Sequence, residues 1–237
     1  MTMPDCLVAD LGSIDYPSAL ALQRDLHQRV VTDELPALLL LLQHPHVYTL
    51  GRRGSETDIL VSSDVLTELG ADVYHTDRGG EATYHGPGQL VGYPILDLRA
   101  AGLGPLAYVR ALERVIISTL AELGIHATSE DRPTGVWVND AKIAAIGVRV
   151  SRGVTMHGFA LNVDPDLSYF NHIVPCGMPG ASVTSVAEQE VALEVSGVID
   201  IFSKRFADIL GYSLIHTTLS TLTEQNLPVV SASQGRL

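Results

Sequence analysis

Cys176, in the segment IVPCGMPGASVTSV (residues 173–186), is a thiol in a loop, because Pro175, Gly177, Pro179 and Gly180 interrupt any helix or strand there. A thiol in that setting is either inert or a nucleophile. To act as a nucleophile it needs a neighbour that stabilises the thiolate or takes its proton. Lys142 is one candidate. Thirteen of the fifteen basic residues are Arg, and only Lys142 and Lys204 are Lys. Arg does not give up its proton near neutral pH, whereas a desolvated Lys does. Alternation along Ala141 to Ser151 puts Lys142 on one face with Ala144, Ile146, Val148 and Val150. There it could stand beside a thiolate as a cation and move a proton as a neutral amine, or simply snorkel to solvent from a strand end. His85 is the competing base. His157 is compatible with a scaffold role, and His44 with His46 at i, i+2 has no evident third partner for a metal.

A second candidate feature is DRGGEATYHGPGQL (residues 77–90), where Gly79, Gly80, Gly86 and Gly88, with Gly92 just beyond, surround Tyr84 and His85. A phosphate-cradling loop needs Gly, four residues, then Gly-Lys-Ser/Thr, and a dinucleotide fingerprint needs Gly-x-Gly-x-x-Gly opening a helix. Neither is present. The stretch is a tight turn or a loop that lets backbone approach a ligand, and Arg78, Tyr84 and His85 favour the ligand.

The elements that must position these groups follow from periodicity. Val8–Leu11, the aliphatic run Ala37–Gln43, His46–Gly51, Ala71–Thr76 and Gln89–Leu98 read as strands, with Pro94 requiring an edge or a bulge. Residues 136–138, 143–150 and 155–163 read as three more, the last two joined as a hairpin through Ser151-Arg152-Gly153. Helical spacing runs from Pro17 to Val30, from Leu106 to Leu123 with a stop at Gly124, and from Val195 to Leu210 with a stop at Gly211. Strands outnumber helices without regular alternation, which predicts an α+β single domain, a mixed or antiparallel sheet with helices on one side. The polar tail from Asn226 reads as mobile.

Composition sets limits. With 46% hydrophobic and 18% charged residues in 237, the chain is globular. A net charge of −12 argues against a nucleic-acid partner. The N-terminus lacks a secretory pattern and the apolar run Leu38–Leu42 is too short to span a membrane, so a cytoplasmic protein is expected. Two cysteines give no disulfide framework.

Three motifs in order, RGGEATYHGPGQLVGYPILDL, KIAAIGVRVSRGVTMHGFALNV and VPCGMPGASVTSV, together with HPHVYTLGRRG, resemble the octanoyltransferase family of lipoate synthesis (historically lipoate-protein ligase B) from about residue 7 to 212. The resemblance implies a fold like the biotin and lipoate ligase catalytic domain, with residues 1–213 as that domain and 214–237 as a partly mobile extension. It implies transfer of octanoyl from octanoyl-acyl carrier protein, through a cysteine thioester, to a lysine of lipoyl domains of 2-oxoacid dehydrogenases and of the glycine cleavage H protein, without ATP, cofactor, metal or membrane. Cys176 matches the nucleophile and Lys142 the residue that activates it. Substrate-lining positions match Arg78, Gly79, Gly80, Glu81, Ala82, Thr83, Tyr84 and His85, then Ala145, Ile146 and Gly147, then Gly158, Phe159 and Ala160.

A thioester donor makes ATP unnecessary, and backbone amides near Cys176–Gly177 and in the glycine loop are candidate oxyanion donors. The small residues Ala144, Ala145, Gly147, Gly158 and Ala160 would leave an acyl slot between two strands, glycine in a strand marking close approach. Because the expected partners are acidic, Arg52, Arg53, Arg78, Arg149 and Arg152 are expected to form a basic patch at the pocket mouth. Rival readings are an ATP-dependent lipoate or biotin ligase of the same fold, an octanoyl amidotransferase working between lipoyl-bearing proteins, and a non-catalytic acyl-carrier-binding module.

Overall fold

The computed structural model describes residues 3–174 and 182–223. Its elements run β1 (Asp5–Ser13), α1 (Tyr16–Val31), β2 (Ala37–Gln43), β3 (Val47–Leu50), α2 (Ser63–Glu68), β4 (Asp72–His75), β5 (Ala82–His85) and β6 (Gln89–Ile95). They continue as α3 (Pro105–Glu122), β7 (Val136–Val138), β8 (Ala141–Ser151), β9 (Val154–Asn162), α4 (Val195–Leu210), β10 (Ser213–His216) and α5 (Leu219–Thr223). Seven strands form the main sheet in the order β10-β1-β2-β6-β9-β8-β7, and β4-β3-β5 form a smaller one. Both are mixed: β1 runs parallel to β2 and β10, and β3 parallel to β4, while the other neighbours are antiparallel.

The aliphatic run of β2 explains the layering. Leu38, Leu40 and Leu42 pack with Ala19, Leu26 and Val30 of α1 on one face of the sheet. Leu39 and Leu41 pack with Leu112, Ile116, Phe202 and Phe206 of α3 and α4 on the other. Helices therefore cover both faces, which corrects the expectation of one. A strand apolar at every position needs two covered faces, since successive side chains point oppositely. Each fully buried leucine contributes about 1.5–3 kcal/mol.

Helix boundaries have local causes. Asp15 caps α1 by accepting from the Ser18 amide at 2.9 Å, with Pro17 in the first turn. Past their ends, α3 and α4 turn at Gly124 and Gly211, with φ of +76° and +77°. Beyond Gly211 the chain returns as β10 along the edge of the sheet, and Leu222 of α5 is buried against the α1 side. The tail expected to be mobile lies outside the described residues from 224 onward. No helix among the described residues is long and apolar enough to cross a membrane.

Pro94 lies inside a central strand, paired with Leu39. It is tolerated because the ladder between β6 and β9 stops at Gly92–Phe159, two residues earlier. There Gly158 of β9 presses on β6: a Cβ on it would overlap the Gly92 carbonyl oxygen and meet Pro94 Cδ at 2.8 Å. Gly158→Ala is accordingly expected to cost about 3 kcal/mol, the upper end of overpacking penalties. Urea unfolding measures this, and an unchanged midpoint would mean that β6 and β9 separate freely.

Candidate active site

The site forms along β8 and β9, whose register sets Ala145 opposite Ala160, Ile146 opposite Phe159 and Gly147 opposite Gly158. Across from them runs the segment 78–83. A cleft with about 500 Å³ of empty space, open solvent included, lies between the two. Arg78, Gly79, Gly80, Glu81, Ala82, Thr83, His85, Ala145, Ile146, Gly147, Gly158, Phe159 and Ala160 all line it. Tyr84 does not: on β5 it points to the opposite face, where its hydroxyl meets His46 Nδ1 at 2.8 Å and its ring stacks on Tyr169. The segment read as a loop contains a strand, and strand alternation separates Tyr84 from Thr83 and His85.

Gly147 and Gly158 owe their size to the chain itself. A Cβ on Gly147 would meet Gly79 O at 2.8 Å and Arg78 Cδ at 3.2 Å, just as Gly158 meets Gly92. The close approach expected of a ligand is made here by backbone.

Lys142 is buried with 7% exposure. It lines an adjoining cavity with Thr83, Gln89, Ala145, Ala160, Asn162, Phe170 and Val183, three of which also line the first. It shares that cavity with Ala145, whereas Ala144, Ile146, Val148 and Val150 pack in or against the helical core. Simple alternation fails because the register between β7 and β8 shifts between Val136 and Trp137, so that Ala144 and Lys142 face adjacent residues of β7. Such a bulge re-aims a side chain. Nζ donates to Thr134 O at 3.3 Å and lies 4.8 Å from the Trp137 ring centroid.

Cys176 and Gly177 lie outside the described residues. Both flanks of their segment are anchored. Before it, Val174 N donates to Asp58 O at 2.8 Å. After it, Ser182 O accepts from Lys142 N at 2.9 Å, and Thr184 N donates back to Lys142 O at 3.0 Å.

His85 belongs to a buried polar chain with a fixed direction. Gln89 Nε2 donates to Tyr84 O and Asn162 Oδ1, and Asn162 Nδ2 donates to Thr184 O. Gln89 Oε1 is therefore an acceptor, and His85 Nδ1, 2.9 Å away, carries the proton. Burial first, then the neighbouring His44, lowers the His85 pKa from 6.5 to about 3. A base so weak stays neutral, which sets His85 apart from the proton-transfer role considered for it.

Tyr16, Tyr93 and His157 also line the cavity and were not singled out as lining from sequence. Their polar atoms are engaged elsewhere: Tyr16 with Thr76 at 3.0 Å, Tyr93 with His44 at 2.7 Å, His157 with Asp77 at 2.8 Å. The expected basic patch does not assemble. Arg78 is 8% exposed and donates to Thr49 O, Thr49 Oγ1, Gly79 O and Glu81 O. Arg53 pairs with Glu81, Arg149 with Asp77, and Arg152 with Gln28. Arg52 and Arg53 remain exposed on the turn after β3.

A family model described as the lipoyl protein ligase A/B catalytic domain matches residues 15–207. The chain is similar to an octanoyltransferase of Solibacter usitatus, 50% identical over 90% of this chain and 96% of that one. It is also similar to a mitochondrial octanoyltransferase of Arabidopsis thaliana, 46% identical over 76% and 77%. Among solved structures it resembles a bipartite lipoate protein ligase of Thermoplasma acidophilum, with a TM-score of 0.70, 16% identity and coverage of 94% and 89%. Biotin protein ligase of Aquifex aeolicus has a TM-score of 0.53, 15% identity and coverage of 86% and 70%. These likenesses match the expected fold.

His44 and His85 make a pH prediction. Burial also lowers the His44 pKa, to about 4. Both are neutral when folded but take up protons near 6.5 when unfolded, so their contribution is complete above that pH and is lost as pH falls towards 4 and 3. Each adds up to about 1.4 kcal/mol per pH unit to the slope. The urea midpoint should hold above pH 7 and fall between pH 6 and 5, less steeply in His44→Phe. An identical slope in that variant would contradict the assignment.

Proposed function

The chain belongs to the lipoyl protein ligase A/B catalytic domain family, and from that premise we propose that it transfers an octanoyl group from octanoyl-acyl carrier protein to lipoyl-domain lysines through Cys176. The observation that most supports this reading is a single buried lysine, Lys142, where a cavity lined by Ala145 and Ala160 meets the anchored stretch 182–184 that follows the Cys176 segment.

In the first step the Cys176 thiolate attacks the thioester carbonyl of the donor. The tetrahedral oxyanion collapses, the C–S bond to the carrier breaks, and the departing thiolate takes a proton from Lys142. In the second step a lipoyl-domain lysine attacks the Cys176 thioester as a free amine, Lys142 receives its proton, and the Cys176 thiolate leaves. One thioester replaces another before the amide forms, so no nucleotide is required. The acyl chain runs along the β8–β9 wall, over Ala145 and Ala160, towards the rings of Tyr16 and Tyr93. Acceptors in this reading are lipoyl domains of 2-oxoacid dehydrogenases and the glycine cleavage H protein. The compartment is the cytoplasm, although the Arabidopsis relative is described as mitochondrial.

Intact-protein mass spectrometry after mixing with octanoyl-acyl carrier protein, without ATP, should show one octanoyl adduct, absent from Cys176→Ala. A strict ATP requirement or an undiminished adduct on that variant would overturn the mechanism. Lys142→Arg keeps the charge but cannot carry a proton at neutral pH. Its turnover should fall by about 10²–10⁴-fold, and near-normal turnover would leave Lys142 an electrostatic aid only.

A further inference from the structure

The chain has one tryptophan, and it lies against Lys142. Trp137 and Lys142 are cross-strand partners on β7 and β8, and Nζ sits 4.8 Å from the ring centroid, a contact that favours a cation. Arg132 Cζ is 5.9 Å from the centroid of the same ring. Lys142 Nζ also donates to Thr134 O, in the turn that leads into β7. That turn is pinned at two points. Trp137 Nε1 donates to Pro133 O at 3.0 Å, and Gly135 N donates to Glu113 Oε1 at 3.2 Å.

Glu113 projects from α3 and has no exposure, and its second oxygen accepts from Arg110 Nη1 at 2.7 Å. Burying a carboxylate is costly unless it is paired and hydrogen-bonded, and here one of its two partners is the backbone of the turn. Gly135, at φ +134°, makes room for the lysine stem, since a Cβ there would meet Ala144 O at 2.7 Å and Lys142 Cε at 3.2 Å.

We propose that Trp137 and Glu113 are positioning residues for Lys142, Trp137 by offering its ring face and clamping Pro133, Glu113 by holding the turn that presents the Thr134 carbonyl. Neither touches the acyl group. Their effect on turnover rests on the proton-carrier role of Lys142 given above, but their effect on the Lys142 amine does not.

The test uses the only two lysines of the chain as an internal pair. Lys204 is exposed and serves as the reference. The purified protein is treated with limiting acetic anhydride at several pH values, and the Lys142-to-Lys204 labelling ratio is read by peptide mass spectrometry. Trp137→Leu and Glu113→Leu should raise that ratio about tenfold, and lower the octanoylation rate per active site about tenfold with KM for octanoyl-acyl carrier protein unchanged. Trp137→Phe should lie between, and Glu113→Gln, which keeps the acceptor for Gly135, should resemble the wild type. Unchanged ratios in folded leucine variants overturn the proposal, as does a folded Glu113→Gln that behaves like Glu113→Leu. If the leucine variants do not fold, the phenylalanine and glutamine variants decide by the same ratio. A wild type that takes no octanoyl would refute the acyl transfer while leaving the labelling result to judge the positioning.

Discussion

A buried guanidinium joins the two sheets, and the pocket is the seam that this join leaves open. Arg78 donates to the backbone and hydroxyl of Thr49 on β3 and to the carbonyls of Gly79 and Glu81, so segment 78–81 wraps around its charge. The same segment is stitched to the main sheet where Gly79 N donates to Val148 O on β8. Arginine suits this task because its planar fork reaches several oxygens at once and stays charged when buried. Gly51 and Gly147 follow as consequences, since a Cβ on either would press on Arg78 or on the segment it holds. Removing the cation would take a donor from four acceptors, of which Glu81 O keeps the Gly51 amide, and free one wall of the cavity.

The cavity so formed has two unlike ends. At one end Lys142, Gln89 and Asn162 present polar groups, ordered by the chain that runs from His85 to Thr184. At the other, the Tyr16 and Tyr93 hydroxyls and His157 Nε2 are engaged with Thr76, His44 and Asp77, and the tyrosine rings offer apolar surface. A fatty acyl thioester has the same asymmetry, with a reactive carbonyl at one end and methylenes beyond it, each worth about 0.8 kcal/mol when buried. The strand rise of ~3.3 Å per residue puts Gly147 about 16 Å along β8 from Lys142. That length gives the pocket a direction and a scale, and at its far end the Arg78 guanidinium is occupied by Thr49, Gly79 and Glu81.

Most of the secondary structure was legible because its signals are local. The doubly apolar run of β2, the helical spacing of α3 and α4 with their terminal glycines, and the Arg152-Gly153 hairpin turn all appear as read. What was not legible depends on pairing across the chain. A four-residue strand, β5, sits inside a glycine-rich stretch with no alternation long enough to announce it, and its presence turns Tyr84 away from the pocket. The shifted register of β7 on β8 reverses the face of Lys142, and nothing in residues 141–151 alone encodes it. Glu113 and Trp137 carry no sequence signal of their place in the site, because it comes from a turn twenty residues away from one and adjacent to the other. Of the small residues read as leaving a slot, Ala145, Ala160, Gly147 and Gly158 line the cavity, the two glycines also admit neighbouring backbone, and Ala144 packs in the helical core instead.

Of the arginines expected to draw in acidic partners, Arg78 is buried and Arg53, Arg149 and Arg152 are each paired with Glu81, Asp77 and Gln28 at separate places, and this bears on how the proposed reaction can run. With a net charge of −12 and the exposed Arg53 already paired with Glu81, long-range attraction for acidic carriers would be weak. An enzyme that had to hold donor and acceptor together would need strong docking for both. The proposed acyl-enzyme would remove that need, because the acyl group would wait on the protein between visits and each partner would meet the same opening alone. On that reading weak docking would favour release as much as capture, and selectivity would fall to the slot and to the placement of Lys142.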